Sequence, residues 1–240
     1  MIAPALDGKV AIVTGASRGI GRAVARAMAR EGAAVVLAAR TRAEIASVAS
    51  EIKDAGGRAL AVSTDVTSER DVVVLVDQAL GELERVDILV NAAGAASFGP
   101  VADAKTDQWD AMLAVNLRAV MVCCRAVLPA MSRQGSGTIL NVASIVVTRA
   151  IPGAAAYAAT KAGVVAFSRV LAEELRPAIR VGVLTPGAVD TPLWDSIPNP
   201  PDRTRMLRPA DVARCAVLMA ALPTGASVED LTVMPVGGIL

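Results

Sequence analysis

Histidine is absent from all 240 residues, and tyrosine occurs once. Without imidazole there is no Ser-His-Asp triad, no Cys-His dyad, no His-ligated metal and no histidine proton shuttle. Acid–base chemistry near neutral pH is left to carboxylates, lysine, cysteine or the single phenol. Aromatic residues amount to 2%, so the core has to be built from Ala, Val, Leu, Ile and Met. The three cysteines, Cys123, Cys124 and Cys215, are odd in number and form no C-x-x-C. They read as buried free thiols in a reducing cytosol, and no metal site is expected. Charge is scarce in both signs: 24 basic against 23 acidic residues, with no basic block. That argues against nucleic acid as a partner. No unbroken apolar run approaches the ~18 residues of a membrane span. The opening MIAPALDGKVAIV lacks a basic leader region and runs directly into an apparent strand, so a cytoplasmic location is expected.

What remains is a core-rich chain, 54% hydrophobic, of a length suited to one domain spanning residues 1–240. Short β-branched runs fall at 10–14, 34–39, 58–63, 86–91, 137–143, 180–185 and 231–235. Helical patterns lie between them, near 20–31, 42–55, 68–83, 107–132, 155–176 and 209–221. Several of the strands are continuously apolar (VVLAA, DILVN, TILNV), as a parallel sheet covered on both faces requires. The alternation predicts an α/β fold: a doubly wound, Rossmann-like, seven-stranded and mainly parallel sheet with helices on both sides. Residues 190–208 carry four of the 13 prolines and no periodic pattern, which marks a functional lid as the expectation for this loop.

The first strand is followed by Thr14-Gly15-Ala16-Ser17-Arg18-Gly19-Ile20-Gly21 and then a helix. Glycines so placed let the backbone turn tightly and approach a pyrophosphate, whose charge meets the amides at the helix N-terminus. At the end of the second strand a carboxylate would bind the ribose hydroxyls of NAD. The sequence there reads Ala38-Ala39-Arg40-Thr41-Arg42. Arg40, helped by Arg18, suits the 2′-phosphate of NADP(H) instead, so NADP(H) is expected in preference to NAD(H). Asp65 and Val66, after the third strand, are placed to reach the adenine.

Tyr157 precedes Lys161 by four residues, which puts the pair on one helix face. The chain has only four lysines, so the offset is not casual. Ser144 ends the fifth strand at the carboxyl edge of the sheet, where such folds bind ligands. Taken with Thr14–Gly21, Asp65-Val66, Asn91-Ala92-Ala93-Gly94, Asn116 and Pro186-Gly187, these residues resemble the short-chain dehydrogenase/reductase family from the first strand to about Thr191.

The resemblance implies hydride transfer between NADP(H) and a ketone/secondary alcohol pair. It assigns Tyr157 as general acid/base, Lys161 as its activator and ribose ligand, Ser144 as the donor that orients the carbonyl, and Asn116 as anchor of a water relay toward Lys161. Asn91, Ala92 and Gly94 would line the cofactor, with Pro186, Gly187, Val189 and Thr191 on the nicotinamide side. A phenol needs about 4 kcal/mol to reach half-ionisation at neutral pH. One cation at ~4 Å contributes about that much at an effective dielectric of ~20, but only about 1 kcal/mol in water. The lysine therefore suffices in an enclosed site, which gives the 190–208 segment its expected part.

Two other functions fit the same motifs. The TGASRGIG opening is similar to 3-oxoacyl-[acyl-carrier-protein] reductases, whose docking would call on Arg118, Arg125 and Arg169. A non-catalytic dinucleotide-sensing module is the more distant alternative, since such proteins usually lose the tyrosine or the lysine. The C-terminus departs from the family pattern, with Val236 where an aspartate is usual. The helices near 107–132 and 155–176 are apolar around much of their circumference, which points to a homo-oligomer, a dimer or tetramer.

Overall fold

A computed structural model of the chain describes residues 5–197 and 200–238. Seven strands, β1 (Val10–Thr14), β2 (Ala34–Ala39), β3 (Arg58–Ser63), β4 (Ile88–Asn91), β5 (Gly137–Val142), β6 (Ile179–Pro186) and β7 (Asp230–Val233), form one sheet in the order β3-β2-β1-β4-β5-β6-β7. Every pairing is parallel. The sheet is thus wholly rather than mainly parallel.

Alternation along β1 shows why both faces are covered. Ala11 and Val13 point to the side packed by α1 (Gly19–Arg30), α2 (Arg42–Asp54) and α7 (Pro209–Ala220). Val10 and Ile12 point to the side packed by α3 (Glu69–Leu83), α5 (Ala119–Gln134) and α6 (Ala155–Leu175). With so few aromatics, each face is filled by aliphatic side chains such as Leu37, Met28 and Ile45 on one side and Leu75, Met131 and Ile139 on the other. The chain winds outward from β1 to β3 and resumes at β4, on the opposite side of β1. That reversal opens a crevice at the carboxyl ends of β1 and β4, where open α/β sheets bind their ligands.

The elements depart from expectation at several places. The helical run near 107–132 is interrupted: α4 (Thr106–Leu113) passes through a π-helical turn at Ala114–Arg118 before α5. By length and mean hydropathy this run would suit a membrane span, although Arg118 and Arg125 break it so that no apolar stretch within it is as long as expected of one. Its Val120, Cys123, Cys124 and Val127 are buried in the core beside the sheet. β4 starts at Ile88 rather than 86, because the Val86 amide and carbonyl are engaged by the side chain of Gln134. β7 ends at Val233 rather than 235: the Gly187 amide bonds the Val233 carbonyl, and beyond it Pro235 has no N–H to offer. Of the three free thiols, Cys123 and Cys124 are buried as expected, and burial pushes Cys123 up to about 12, but Cys215 is only half-buried.

Behind the crevice runs a buried polar chain. Asn91 Nδ2 donates to Asn141 Oδ1 at 2.8 Å, Asn141 Nδ2 donates to Ser168 Oγ at 2.8 Å, and Ser168 donates to the Val164 carbonyl at 2.6 Å. It joins β4, β5 and α6 at a single level.

Candidate active site

The crevice holds a cleft of about 670 Å³, built from the loops that leave β1, β2, β3, β4, β5 and β6. At one end the turn after β1 is shaped by glycine. Gly15 (φ +66°) and Gly19 (φ +55°) occupy the left-handed region, and a Cβ on Gly15 would stand 2.8 Å from Ala93 Cα. A Cβ on Gly21 would lie 2.3 Å from the Gly15 carbonyl oxygen, so the first turn of α1 packs directly on the loop. Thr14 completes the floor: its hydroxyl accepts from the amides of Ala92 and Ala93 at 3.1 and 3.2 Å. α1 begins with no side-chain cap and no acidic residue in its first turn. Its amides are thereby left to an anion.

Ser17, Ile20 and Val66 line this end, as do Arg18, Arg40 and Asp65. Among the described residues neither Arg18 nor Arg40 has a salt bridge or a side-chain hydrogen bond, and both are exposed. Asp65 accepts from the Thr67 amide and hydroxyl, which with the nearby Arg40 charge hold its carboxyl below the ordinary range. It is the only acidic residue lining the cleft among the described residues.

At the other end Ser144, Tyr157 and Lys161 converge. Ser144 leaves β5 and caps a short 3-10 turn (Ile145–Val147), while Tyr157 and Lys161 come from successive turns of α6. Burial raises the phenol above its ordinary value, and the neighbouring Ser144 hydroxyl offsets this in part. Lys161 is 5% exposed, donates to the Val142 carbonyl at 2.8 Å, and has Nζ 5.9 Å from the centre of the Tyr157 ring. Burial lowers Lys161 to about 8. In this arrangement desolvation disfavours the charged forms of both groups.

Asn116 and Asn91 are the two expected site residues that do not line the cleft. Asn116 is fully buried on the π-helical turn, with Oδ1 accepting from the Ala95 amide at 2.8 Å and Nδ2 donating to the Ala95 carbonyl at 2.8 Å and to Thr160 at 3.1 Å. Its side chain clamps the strand-β4 loop from behind. A Cβ on Gly94 would stand 3.4 Å from Asn116 Oδ1 and 3.8 Å from Lys161 Nζ, so only Gly94 separates the two. Asn91 turns inward to Asn141 and to Cys124, away from any cofactor. Its neighbours Ala92 and Gly94 do face the cleft.

Pro186, Gly187, Val189 and Thr191 form the remaining wall. Gly187 is required by the C-terminal segment, since a Cβ there would meet Pro235 Cδ at 2.8 Å and Met234 Sδ at 2.9 Å. Met234 thereby enters the cleft, while Val236 is fully exposed. Sequence reasoning also missed Phe98, Ile151, Trp194 and Ile197, which come from loops without periodicity. The scarcity of aromatic residues was the signal available for Phe98 and Trp194.

The 190–208 segment leaves and returns through a bridge between Val189 and Leu207. Inside it, Arg203 donates to Asp190 at 2.5 Å, Asp195 at 2.6 Å and the Thr191 carbonyl at 3.2 Å. Two short 3-10 turns, Pro192–Ser196 and Arg203–Arg205, replace the featureless loop expected there. Pro198 and Asn199 lie outside the described residues.

The short chain dehydrogenase family model matches residues 9–202. An uncharacterized oxidoreductase of Staphylococcus aureus (strain MRSA252) is 36% identical over 232 residues, covering 96% of this chain and 99% of that protein. Among solved structures, an alcohol dehydrogenase from the archaeon Thermococcus sibiricus, complexed with 5-hydroxy-NADP, superposes with a TM-score of 0.88 at 34% identity. The match covers 95% of this chain and 97% of that one. A 7α-hydroxysteroid dehydrogenase complexed with NADH and 7-oxo glycochenodeoxycholic acid superposes with a TM-score of 0.90 at 33% identity, covering 98% of this chain and 95% of that one. With the glycine loop, the Ser144–Tyr157–Lys161 cluster and these likenesses together, the chain belongs to the short-chain dehydrogenase family and is an oxidoreductase.

Proposed function

We propose that this oxidoreductase uses NADP(H) to interconvert a ketone and its secondary alcohol. The observation that carries the proposal is the polarity of one continuous cleft: free guanidiniums of Arg18 and Arg40 at one end, and Ser144, Tyr157 and Lys161 together at the other. The glycine loop fits the dinucleotide, because Cβ atoms at Gly15 and Gly21 would strike the Ala93 backbone and the Gly15 carbonyl, so only glycine lets the loop lie this close beneath the first turn of α1. The uncapped N-terminus of α1 and the two arginines are the donors such a ligand needs, with a 2′-phosphate falling to Arg40 and Arg18.

A bound nicotinamide supplies or accepts a hydride. The chain's own residues supply the proton and the orientation. Ser144 donates to the carbonyl oxygen and Tyr157 gives that oxygen its proton as the alcohol forms, or removes it in the reverse direction. Protonation of the phenol at neutral pH suits the reduction direction. Lys161 holds positive charge beside the ring while itself anchored by the Val142 carbonyl. Asn116 is a positioning residue that fixes Ala95 and the Gly94 wall; its main-chain turn is the place for a water relay toward the lysine. The 190–208 segment acts as the lid that excludes water.

Acyl-carrier-protein reduction has less support, because Arg118 and Arg125 both face Glu69 and Arg169 faces Asp230. Exposed Leu113, Met121 and Val170 on the helical surface support a homo-oligomer. The test of the function is to follow loss of reduced-nicotinamide absorbance with NADPH and NADH against ketones and acyl thioesters. Turnover of ketones with NADPH favoured by at least about tenfold is expected; equal or better use of NADH would overturn the cofactor assignment.

A further inference from the structure

The chain has five aromatic residues, and three of them meet at the reacting end of the cleft. Phe98 and Trp194 lie nearly parallel, with ring centres 6.1 Å apart and planes 14° apart. Phe98 also stands 5.9 Å from the Tyr157 ring at 50°. Each member of this group is held from outside it. Trp194 Nε1 donates to the Val189 carbonyl at 2.9 Å, and Phe98 is held by the bond from the Gly99 amide to the Gly153 carbonyl at 2.9 Å. One ring belongs to the 190–208 segment and the other to the loop after β4, so the pair spans the two walls of the cleft.

The surroundings of the pair are apolar. Ile145, Val146, Ile151, Leu193, Ile197 and Met234 complete this end. The charged lining residues Arg18, Arg40 and Asp65 belong to the far end, and Lys161 is already bonded to Val142. Among the described lining residues the one cation at this end is Lys161, which is 5% exposed and anchored to the Val142 carbonyl, so no exposed cation is placed to receive a carboxylate or phosphate on a substrate seated beside Tyr157. A charged group there would lose its hydration with nothing in exchange. A flat apolar ring would instead continue the stack already made by Phe98 and Trp194.

From this arrangement we infer that the carbonyl substrate is a neutral ketone carrying an aromatic ring, and that Phe98 and Trp194 are the residues that select the ring. The inference rests on the ketone-reductase reading above. In reduction the carbonyl carbon takes the hydride of the reduced nicotinamide and its oxygen takes the Tyr157 proton, giving an aryl secondary alcohol and the oxidised nucleotide.

The test compares acetophenone, cyclohexyl methyl ketone and phenylglyoxylate as an aryl ketone, a saturated analogue of similar size and a charged aryl analogue. Expected kcat/KM with NADPH is about tenfold higher for acetophenone than for the cyclohexyl ketone, with phenylglyoxylate lowest. Phe98→Ala and Trp194→Ala should each bring the aryl-to-cyclohexyl ratio toward one, and Trp194→Phe should restore it. Equal kcat/KM for the two neutral ketones in the unaltered enzyme, or a ratio unchanged in both alanine variants, would overturn the inference.

A second readout does not depend on turnover or on the alanine variants folding. In a Trp109→Phe background Trp194 is the only tryptophan, and its fluorescence is titrated with each ketone in the presence of the oxidised nucleotide. Saturable change with acetophenone at about tenfold lower concentration than with the cyclohexyl ketone supports the ring site; identical titrations refute it. If no ketone turns over, the reductase reading fails, and this titration still decides the ring site on its own.

Discussion

Lys161 sits one helical turn beyond Tyr157, with its Nζ 5.9 Å from the centre of the phenol ring, and burial displaces the two groups in opposite directions. The phenol keeps its proton and the ammonium holds its own less firmly. Replacement of Tyr157 by Phe keeps the ring packed against Phe98 and removes only the transferable proton. Turnover should fall by about 100-fold to 10,000-fold, while nucleotide affinity measured by calorimetry stays within about twofold. A variant that retains most of its turnover would exclude Tyr157 as the acid.

The same burial makes Lys161 a stability liability. Its pKa is about 8 in the folded chain against an ordinary 10.5, so between those values the unfolded chain binds more protons and stability rises with pH. Below pH 8 the full penalty applies, on the order of 3 kcal/mol for a side chain this deeply buried. Lys161→Met should therefore stabilise the protein at pH 7 by roughly 2 kcal/mol after loss of the bond to Val142, and should abolish the rise between pH 8 and 10.5. Urea denaturation of both proteins at pH 7 and pH 10 reads this directly. A variant less stable at pH 7 would show that the buried ammonium is well compensated.

Gly21→Ala tests the nucleotide cradle. The added methyl would lie 2.3 Å from the Gly15 carbonyl oxygen and 2.6 Å from its carbon, so α1 and the loop must separate. The expected result is a folded protein by circular dichroism that has lost more than about tenfold in affinity for NADPH and NADH alike. Loss confined to NADPH would place the effect at Arg18 and Arg40 instead.

Arg203 is the pin of the lid, holding Asp190, Asp195 and the Thr191 carbonyl together. These contacts are partly exposed and contribute little to global stability. In Arg203→Ala the thermal midpoint should be unchanged, whereas cleavage within residues 190–208 by a low dose of protease should quicken and KM for ketone should rise by roughly three- to tenfold. An unchanged cleavage rate would mean that the aromatic contact to Phe98 holds the segment without the arginine.

Most of the sheet was legible because its central strands are apolar runs, as parallel strands covered on both faces require. The π-helical turn was not, since the interval 114–118 keeps an ordinary helical composition and the extra residue per turn arises from packing. The glycine spacing located the nucleotide end, and the Tyr157–Lys161 offset located the other. Asn91 illustrates the limit. It ends a strand on the correct edge, but successive side chains of a strand face opposite ways, and only pairing with Asn141 shows that this one turns inward. The walls were the least legible part, because Phe98, Trp194 and Met234 are brought together by three loops distant in sequence.

The chain of amides and hydroxyl from Asn91 through Asn141 to Ser168 has a bearing on how freely such a protein can change. A parallel strand that slides by two residues keeps its apolar side chains on the same faces, so hydrophobic pattern alone tolerates the slip. Three buried polar groups that satisfy one another do not, because any slip would leave each without a partner. The floor beneath Ser144 and Tyr157 is therefore indexed independently of the loops above it. Loop sequences around 95–101 and 190–208 could be exchanged for others with the reacting groups still emerging at the same height, which makes this scaffold a suitable recipient for altered substrate walls.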